Sequence, residues 1–167
     1  MKKKLFMILV LILGITILGC SLQKKKDIEN DKEEKTLSCK IRATNESEGI
    51  TISESRTFYF NDKNSKKLTK YIQIMSFDYK SIEAINNYGE KNYNSAIKTC
   101  NDLKDLSGVH CSIKNNDDNN LVVELEVVLK ELEEGTELAD NLENLKDLSY
   151  NQIYDGFKNS DSPWKCE

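Results

Sequence analysis

Histidine, proline and arginine are scarce in this chain of 167 residues, which holds one histidine, one proline and two arginines. A histidine-rich metal site and a proline-rich ligand segment are therefore excluded. Catalytic signatures are missing as well, since no Gly-x-Ser-x-Gly elbow, phosphate-cradling glycine loop or His-Glu-x-x-His helix occurs. The sequence predicts no catalytic residue, no metal site and no cofactor.

Basic side chains are outnumbered by acidic ones once the amino terminus is passed. The segment from Met1 to Gly19 contains three lysines and no acid, and the rest of the chain therefore has fewer basic than acidic side chains. Nucleic-acid binding needs clustered positive charge that neutralises phosphates. We therefore expect an acidic domain that does not bind nucleic acid.

The amino-terminal segment through Cys20 has the pattern of an export signal with a lipid attachment site. Lys2 to Lys4 precede an apolar run from Leu5 to Leu18, which ends at Gly19-Cys20. A basic end, a short apolar core and a small residue at the cleavage point are typical of a secretory signal, and the cysteine that follows resembles a bacterial lipobox. We expect residues 1–19 to be removed. Cys20 would then carry a diacylglyceryl group that anchors the protein at the extracytoplasmic face of the cell membrane.

An uncleaved membrane helix is the alternative for this segment. No charged residue occurs from Leu5 to Gln23, and this length is close to the about 20 apolar residues that span a bilayer. The chain would then be a single-pass membrane protein with an N-terminal anchor. The short core and the position of Gly19-Cys20 favour the lipoprotein.

A charged tether is expected to follow, so that residues 20–35 comprise the lipidated cysteine and its spacer. From Lys24 to Lys35 every residue is charged except Asn30 and Ile28, and Ile28 is the one apolar residue. Such a segment cannot contribute to a core. A solvated spacer is the simpler interpretation, and contact of Lys24 to Lys26 with anionic head groups is the alternative.

Residues 36–167 have the periodicities of a single α+β domain. Leu37, Cys39 and Ile41 alternate with polar residues, which predicts a half-buried strand. Two further strands are predicted at Ile50–Phe60 and Leu68–Phe77, and polar turns separate the three. Together they suit an antiparallel meander.

One long helix is predicted after this meander. Apolar residues from Ile82 to Leu103 recur three or four positions apart, with Asp78 as the expected N-cap and Gly108 as the expected C′ glycine. The sequence Asn86-Asn87-Tyr88-Gly89 weakens the pattern midway, so a kink or break is expected there.

A hairpin and C-terminal helices complete the predicted domain. Alternation predicts strands at 109–113 and 121–129 with an exposed connector at 115–120, although the leucines of the second strand leave a helix open. Leucines at 138, 142 and 145 have helical spacing, and Ser149 with Gln152 forms a capping box for a last helix through about Phe157. Residues 160–167 are predicted as a tail. The fold class is α+β, with an antiparallel sheet of about five strands, one long helix and C-terminal helices.

Four cysteines follow the lipobox, and an even number in an exported chain predicts two disulfides. They are Cys39, Cys100, Cys111 and Cys166. Three connectivities are open, and positions in the predicted elements favour Cys100–Cys111 together with Cys39–Cys166. Zinc is the alternative, with His110 beside Cys111, but no Cys-x-x-Cys pair occurs. His110 is expected on the polar face of its strand, from which it cannot activate Cys111.

The order of parts along the chain carries a resemblance to a known family. A lipobox cysteine is followed by a charged tether, a cysteine on the first strand, a long helix, a hairpin around 109–129 and a last helix with Gly156-Phe157-Lys158. This order resembles the YehR-like small bacterial lipoproteins, a family of unknown function, especially forms that end in aromatic-x-Cys, here Trp164-Lys165-Cys166. The resemblance implies a fold class and a cell-envelope location, and it transfers no catalytic residue.

Two classes of function stay open from sequence. The first is a lipid-anchored, non-catalytic binding or interaction module with a protein or small-molecule partner that the sequence does not identify. The second is an envelope enzyme with an unrecognised active site. A pocket lined by converging acids and tyrosines would favour the enzyme, whereas a flat sheet face or a shallow groove would favour binding.

Overall fold

A six-stranded antiparallel sheet forms the centre of the protein, with strand order β4-β5-β3-β2-β1-β6. The computed structural model describes residues 35–61, 67–117, 119–132, 148–158 and 163–167. The expected signal segment, Cys20, the tether before Lys35 and the helix expected at 138–145 lie outside these residues. The strands are β1 (Lys35–Asn45), β2 (Ile50–Phe60), β3 (Leu68–Tyr79), β4 (Val109–Asp117), β5 (Asn120–Val128) and β6 (Lys165–Cys166).

Helices pack against one face of this sheet, which we call the covered face. They are α1 (Ile82–Ala84), α2 (Glu90–Leu103) and α3 (Tyr150–Lys158), and the π-helical turn Ile85–Gly89 joins α1 to α2. The π-helical turn falls where the sequence Asn86 to Gly89 predicts a break. Within the described ranges, no helix combines the length and apolarity needed to cross a bilayer.

Strand alternation places apolar side chains on the covered face, where they form two clusters. One lies under α3 and includes Leu37, Phe58, Phe60, Tyr71, Val127 and Ile153. The other lies under α2 and includes Ile50, Met75, Phe77, Ala96 and Leu121. The opposite face of the sheet, the outer face, carries the polar positions of the same strands.

The mixed α and β composition, the meander of β1 to β3 and the β4–β5 hairpin are confirmed. The sheet has six strands rather than about five, because Lys165 and Cys166, predicted as tail, pair with Lys40 and Cys39 of β1. A strand of two residues is too short to leave a periodic pattern.

The capping box predicted for the last helix is confirmed, since Gln152 Oε1 accepts from Ser149 N at 2.9 Å and Gln152 N donates to Ser149 Oγ at 3.4 Å.

The predicted start of the long helix is wrong. Asp78 belongs to β3, opposite Asn120 of β5, and the N-cap is Ser81, whose Oγ accepts from Ala84 N at 3.1 Å. Pairing with β5 carries β3 past Phe77, so the helix begins later. Ile82, counted among the apolar helix positions, is 77% exposed.

The predicted helix end and hairpin connector also differ from the structure. Helix α2 ends at Leu103 with Lys104 as C-cap, so Gly108 is not its C′ residue. Gly108 instead has a φ of 73° immediately before β4. Strand β4 extends through Asp117, which pairs with Asn120 at the start of β5, and a bulge lies between Ile113 and Asn115. Most of the connector expected at 115–120 is therefore strand.

Candidate functional site

The four cysteines after the lipobox form two disulfides, Cys39–Cys166 and Cys100–Cys111, the pairs that their positions in the sequence favour. Cys39 is fully buried, and its bridge ties β1 to β6. The second bridge ties the end of α2 to β4. All four sulfurs are thereby occupied, so neither a zinc ligand nor a nucleophile comes from this set.

His110 is exposed and lies opposite Glu126 of β5. Its neighbour Cys111 packs against the core under α3, because successive strand residues alternate between the two faces. No group of three His, Cys, Asp or Glu side chains converges in the part of the chain that the structure describes.

A charged pair is buried on the covered face, where the sequence analysis did not place one. Glu54 Oε1 accepts hydrogen bonds from Arg56 Nε and from Gln73 Nε2, both at 2.6 Å. The side chains of Glu54 and Arg56 are only 3% and 11% exposed. Charge-assisted hydrogen bonds of this kind offset the cost of burying a carboxylate. Neighbouring strands position all three residues between the two apolar clusters.

Aromatic side chains surround this buried pair. The Arg56 guanidinium carbon lies 4.9 Å from the centroid of the Trp164 ring, and Trp164 meets Phe157 edge-on at 5.1 Å. Tyr71 is 2% exposed, and its Oη has no hydrogen-bond partner among the described residues. Burial raises the pKa of Tyr71 well above its usual value; Arg56 opposes this shift and Glu54 adds to it.

A narrow cavity lies beside Gln73, between α2 and the sheet. Its volume is about 30 Å³, and its lining includes Asn92, Thr99 and Cys111. This space fits water molecules rather than a substrate, since a water needs about 10–15 Å³. Glu54 is enclosed and its Oε1 already accepts two hydrogen bonds, so the buried cluster is suited to holding strands together rather than to proton transfer.

The outer face of the sheet is polar and has no described helix packed on it. Hydroxyl side chains occupy its middle, alongside two partly exposed isoleucines: Ser53, Ser55, Thr57, Ser76, Ile72 and Ile74. Its acids on β5 have partners, because Glu124 pairs with Lys114 at 3.0 Å and Glu126 lies 3.9 Å from Lys70.

Positive charge collects at the β1–β6 end of this face. Lys40, Arg42 and Lys165 are exposed there, and Lys40 pairs with Glu167 at 3.1 Å. Within the described residues, neither Arg42 nor Lys165 has an acidic partner. The pairing of Lys40 with Lys165 places both side chains on the same face.

These cations border a shallow groove that crosses β6, β1, β2 and β3, which we call the basic groove. Its volume is about 780 Å³, within the range of ligand sites. Its lining includes three cations, Lys40, Arg42 and Lys165, and two acids, Glu54 and Glu167, together with Ser53, Ser55 and Ile74. Glu54 is paired with Arg56 and Glu167 with Lys40, so Arg42 and Lys165 leave an excess of positive charge. The groove offers cationic and hydroxyl donors beside a small apolar surface, which suits an anionic ligand.

Sequence reasoning missed both the buried pair and the basic groove. Alternation along β1 does predict Lys40 and Arg42 together on the polar face, because they flank Ile41, but it does not indicate a groove beside them. Lys165 joins them through the pairing of β6 with β1, and the predicted Cys39–Cys166 bridge did not by itself indicate this strand.

Comparisons with known proteins show a similar fold and do not indicate a function. No protein-family model matches the chain, and no curated protein matches it. The NMR structure of a protein from Streptococcus pneumoniae TIGR4 is similar, with a TM-score of 0.50 and 16% identity over 89% of this chain and 100% of that one. Similarity at this identity shows the fold alone, since one fold hosts many functions.

Proposed function

We propose that the protein is a lipid-anchored lipoprotein of the cell envelope whose domain is a non-catalytic binding module for an anionic partner. The basic start, apolar core and Gly19-Cys20 support the lipid anchor. The order of parts shared with YehR-like lipoproteins supports the same location. Two acyl chains hold a protein firmly to a membrane, whereas one binds only marginally.

The basic groove is the observation that carries the binding role. The whole chain has a net charge of −4, yet Arg42 and Lys165 lie on one face without acidic partners among the described residues. A local excess of positive charge in an acidic protein attracts anions and orients their approach. An enzyme is less well supported, because Glu54, the most buried carboxylate of the sheet, is enclosed and already hydrogen-bonded.

The tether would place the groove away from the membrane surface. Strand β1 begins at Lys35, and the chain from Cys20 to Lys35 can extend to about 50 Å at most. The groove would therefore reach partners that lie within this distance of the lipid head groups. A partner fixed in the surrounding envelope is compatible with such a reach.

Titration of the ¹⁵N-labelled protein with polyglutamate and with polyphosphate tests the binding role. We expect either polyanion to shift amide resonances of Lys40, Arg42, Ser55 and Lys165 and to lose affinity as salt increases. Lys114→Glu, a charge reversal on β4 at the far end of the same face, serves as the control and should leave these shifts intact. Unchanged spectra with both polyanions would contradict the proposal.

A further inference from the structure

We infer that the anionic partner of the basic groove is a glycan, a sugar chain that carries carboxylate or phosphate groups. The inference rests on the proposed binding function and specifies the class of its ligand. Cations alone attract any anion, so selection of a sugar depends on the side chains of β2 and β3 beside them. We call these side chains the hydroxyl strip, and they are Ser53, Ser55, Thr57, Ile72, Ile74 and Ser76.

The strand registers place the hydroxyl strip directly beside the cations. Lys40 lies opposite Ser55, which in turn lies opposite Ile74. Arg42 lies opposite Ser53 in the next row on the same face. Neighbouring strands are about 4.8 Å apart, so a row across β1, β2 and β3 is only about 10 Å wide. A ligand that lies across these rows can therefore contact a cation and a hydroxyl group at once.

Three hydroxyl groups of β2 are not used within the described part of the protein. Ser53, Ser55 and Thr57 are partly exposed, and their hydroxyls have no hydrogen-bond partner among the described residues. Ser76 Oγ, in contrast, donates to Asn120 Oδ1 at 3.3 Å. A hydroxyl both donates and accepts, so the three groups of β2 can bond sugar hydroxyls in either orientation. The isoleucines of the strip offer apolar surface to the C–H groups of a sugar ring.

An acidic polypeptide fits the hydroxyl strip less well than a sugar does. Peptides that bind to sheets take their affinity from main-chain groups at an edge. The hydroxyl strip lies in the middle of the sheet, where the backbone groups of β2 and β3 already pair with those of neighbouring strands. The strip therefore offers only side chains to a ligand, and its hydroxyls match a ligand that is itself rich in hydroxyls.

Other polyanions would leave the hydroxyl strip unused. Single-stranded nucleic acids bind proteins through aromatic rings on which their bases stack, and the strip contains no aromatic residue. Inorganic polyphosphate has no hydroxyl groups to bond to the serines. A guanidinium such as that of Arg42 binds carboxylate and phosphate equally well through parallel N–H groups. Either anionic group on a sugar is therefore compatible with the basic groove.

Binding of fluorescently labelled oligomers to the full chain in detergent micelles tests the inference. Tetragalacturonate and tetraglutamate carry the same number of side-chain carboxylates, but only tetragalacturonate has sugar hydroxyls. Neutral maltotetraose has hydroxyls without charge, and phosphorylated maltotetraose carries phosphate instead of carboxylate. We expect tetragalacturonate to bind about tenfold more tightly than tetraglutamate, because hydrogen bonds to the strip add to its affinity. Maltotetraose should bind about tenfold more weakly than tetragalacturonate, because it lacks the charge.

Substitutions separate sugar recognition from charge. Ser53→Ala combined with Ser55→Ala should remove the preference for tetragalacturonate over tetraglutamate. Arg42→Glu should weaken the binding of both oligomers about tenfold through charge reversal. Ser112→Ala is the matched control, because Ser112 lies on β4 opposite Glu124, outside the basic groove. It should leave the preference for tetragalacturonate intact.

The outcomes distinguish this inference from the proposed function. Tighter binding of tetragalacturonate or phosphorylated maltotetraose than of tetraglutamate, lost in the double serine variant, supports the inference and identifies the anionic group. Equal binding of these oligomers to the parent protein would overturn it while leaving an anion-binding groove, whether or not the serine variant folds. A preference that persists in the folded double variant would also overturn it. Maltotetraose that binds as tightly as the charged sugars, or no binding of any oligomer, would reject both proposals.

Discussion

The guanidinium of Arg56 lies beneath the indole of Trp164, with its central carbon 4.9 Å from the ring centroid. Arg56 in turn donates to the buried carboxylate of Glu54. The segment 163–167 thus covers an ion pair with its one aromatic ring, while its backbone pairs with β1. Removing this cover would expose charges whose burial is stabilised by their mutual contact and by the ring.

Trp164→Ala is expected to lower the free energy of unfolding by about 2 kcal/mol, because it removes a cation–π contact, an edge-on aromatic contact and apolar burial. Urea unfolding followed by circular dichroism measures this change, since the substitution removes the single tryptophan. Trp164→Phe is the control, and it should lower the free energy of unfolding by less than Trp164→Ala does, because it keeps an aromatic ring at this position. A change below about 0.5 kcal/mol, typical of surface substitutions, would contradict this role.

Tyr71→Phe is expected to raise the free energy of unfolding by about 1 kcal/mol, because it removes a buried hydroxyl that lacks a described partner. Tyr79→Phe is the matched control and should lower it, since Tyr79 Oη accepts from the buried Asn92 Nδ2 at 3.1 Å. Urea unfolding at pH 7 compares the two variants. Destabilisation by Tyr71→Phe would indicate that a bound water satisfies this hydroxyl.

Tyr71 also links stability to pH. Burial raises the pKa of Tyr71 far above its usual value, whereas an unfolded tyrosine ionises near pH 10. Above about pH 10 the unfolded chain therefore binds fewer protons than the folded protein. The stability that comes from keeping Tyr71 protonated is complete below that pH, and the free energy of unfolding falls as pH rises beyond it. Tyr71→Phe should reduce the alkaline fall in stability, and Tyr79 accounts for part of the remainder because burial raises its pKa too.

Sequence patterns predicted the strands and helix caps that depend on residues close to one another in sequence. The strand at Ile50–Phe60, bounded by polar turns, and the Ser149–Gln152 capping box depend on residues close in sequence, and both occur as expected. Strand β2 also contained an unused signal: Glu54 and Arg56 have the same parity as Ile50, Phe58 and Phe60, so they face the core. The cysteines indicated that residue 166 lies near Cys39, 127 residues away, but no local pattern indicated that Lys165 and Cys166 form a strand, because two residues are too few for an alternation.

Gly108→Ala is expected to lower the free energy of unfolding by about 3 kcal/mol. Its φ is +73°, and a Cβ there would lie 2.7 Å from the Glu131 carbonyl carbon and 2.8 Å from Leu132 N. Gly156→Ala is the control on helix α3, where nothing lies within 4 Å of the added atom. It should gain about 0.5–1 kcal/mol from helix propensity. Thermal unfolding of the pair compares the two, and similar effects would contradict the strained role of Gly108.

Cys20→Ala is expected to abolish lipid attachment and leave the precursor unprocessed, because the sulfur is the acceptor in the lipobox interpretation. Incorporation of labelled fatty acid and the mass of the membrane-held form measure this outcome. Cys39→Ala, which leaves the lipobox intact, is the control and should be processed normally. Normal processing and membrane retention of Cys20→Ala would contradict the lipid anchor.

The two disulfides are expected to differ in their contribution to stability because they close loops of very different length. Cys39 and Cys166 are separated by 127 residues, and Cys100 and Cys111 by 11. Restriction of the unfolded chain predicts a stabilisation of roughly 5 kcal/mol for the long loop and roughly 3 kcal/mol for the short one. Replacing each pair by alanines should therefore lower the urea midpoint more for Cys39 and Cys166.

Chelator is included in these measurements so that no metal contributes to the stability. Intact mass before and after reduction with alkylation verifies two bridges in the parent protein. A chain that begins at Thr36 should show one cooperative transition under these conditions, and reductant should lower its midpoint without abolishing it. The reverse order of the two alanine variants would contradict the chain-entropy explanation. It would instead assign the larger stabilisation to the attachment of α2 to β4, where Cys100 and Cys111 join the helix directly to the edge of the sheet.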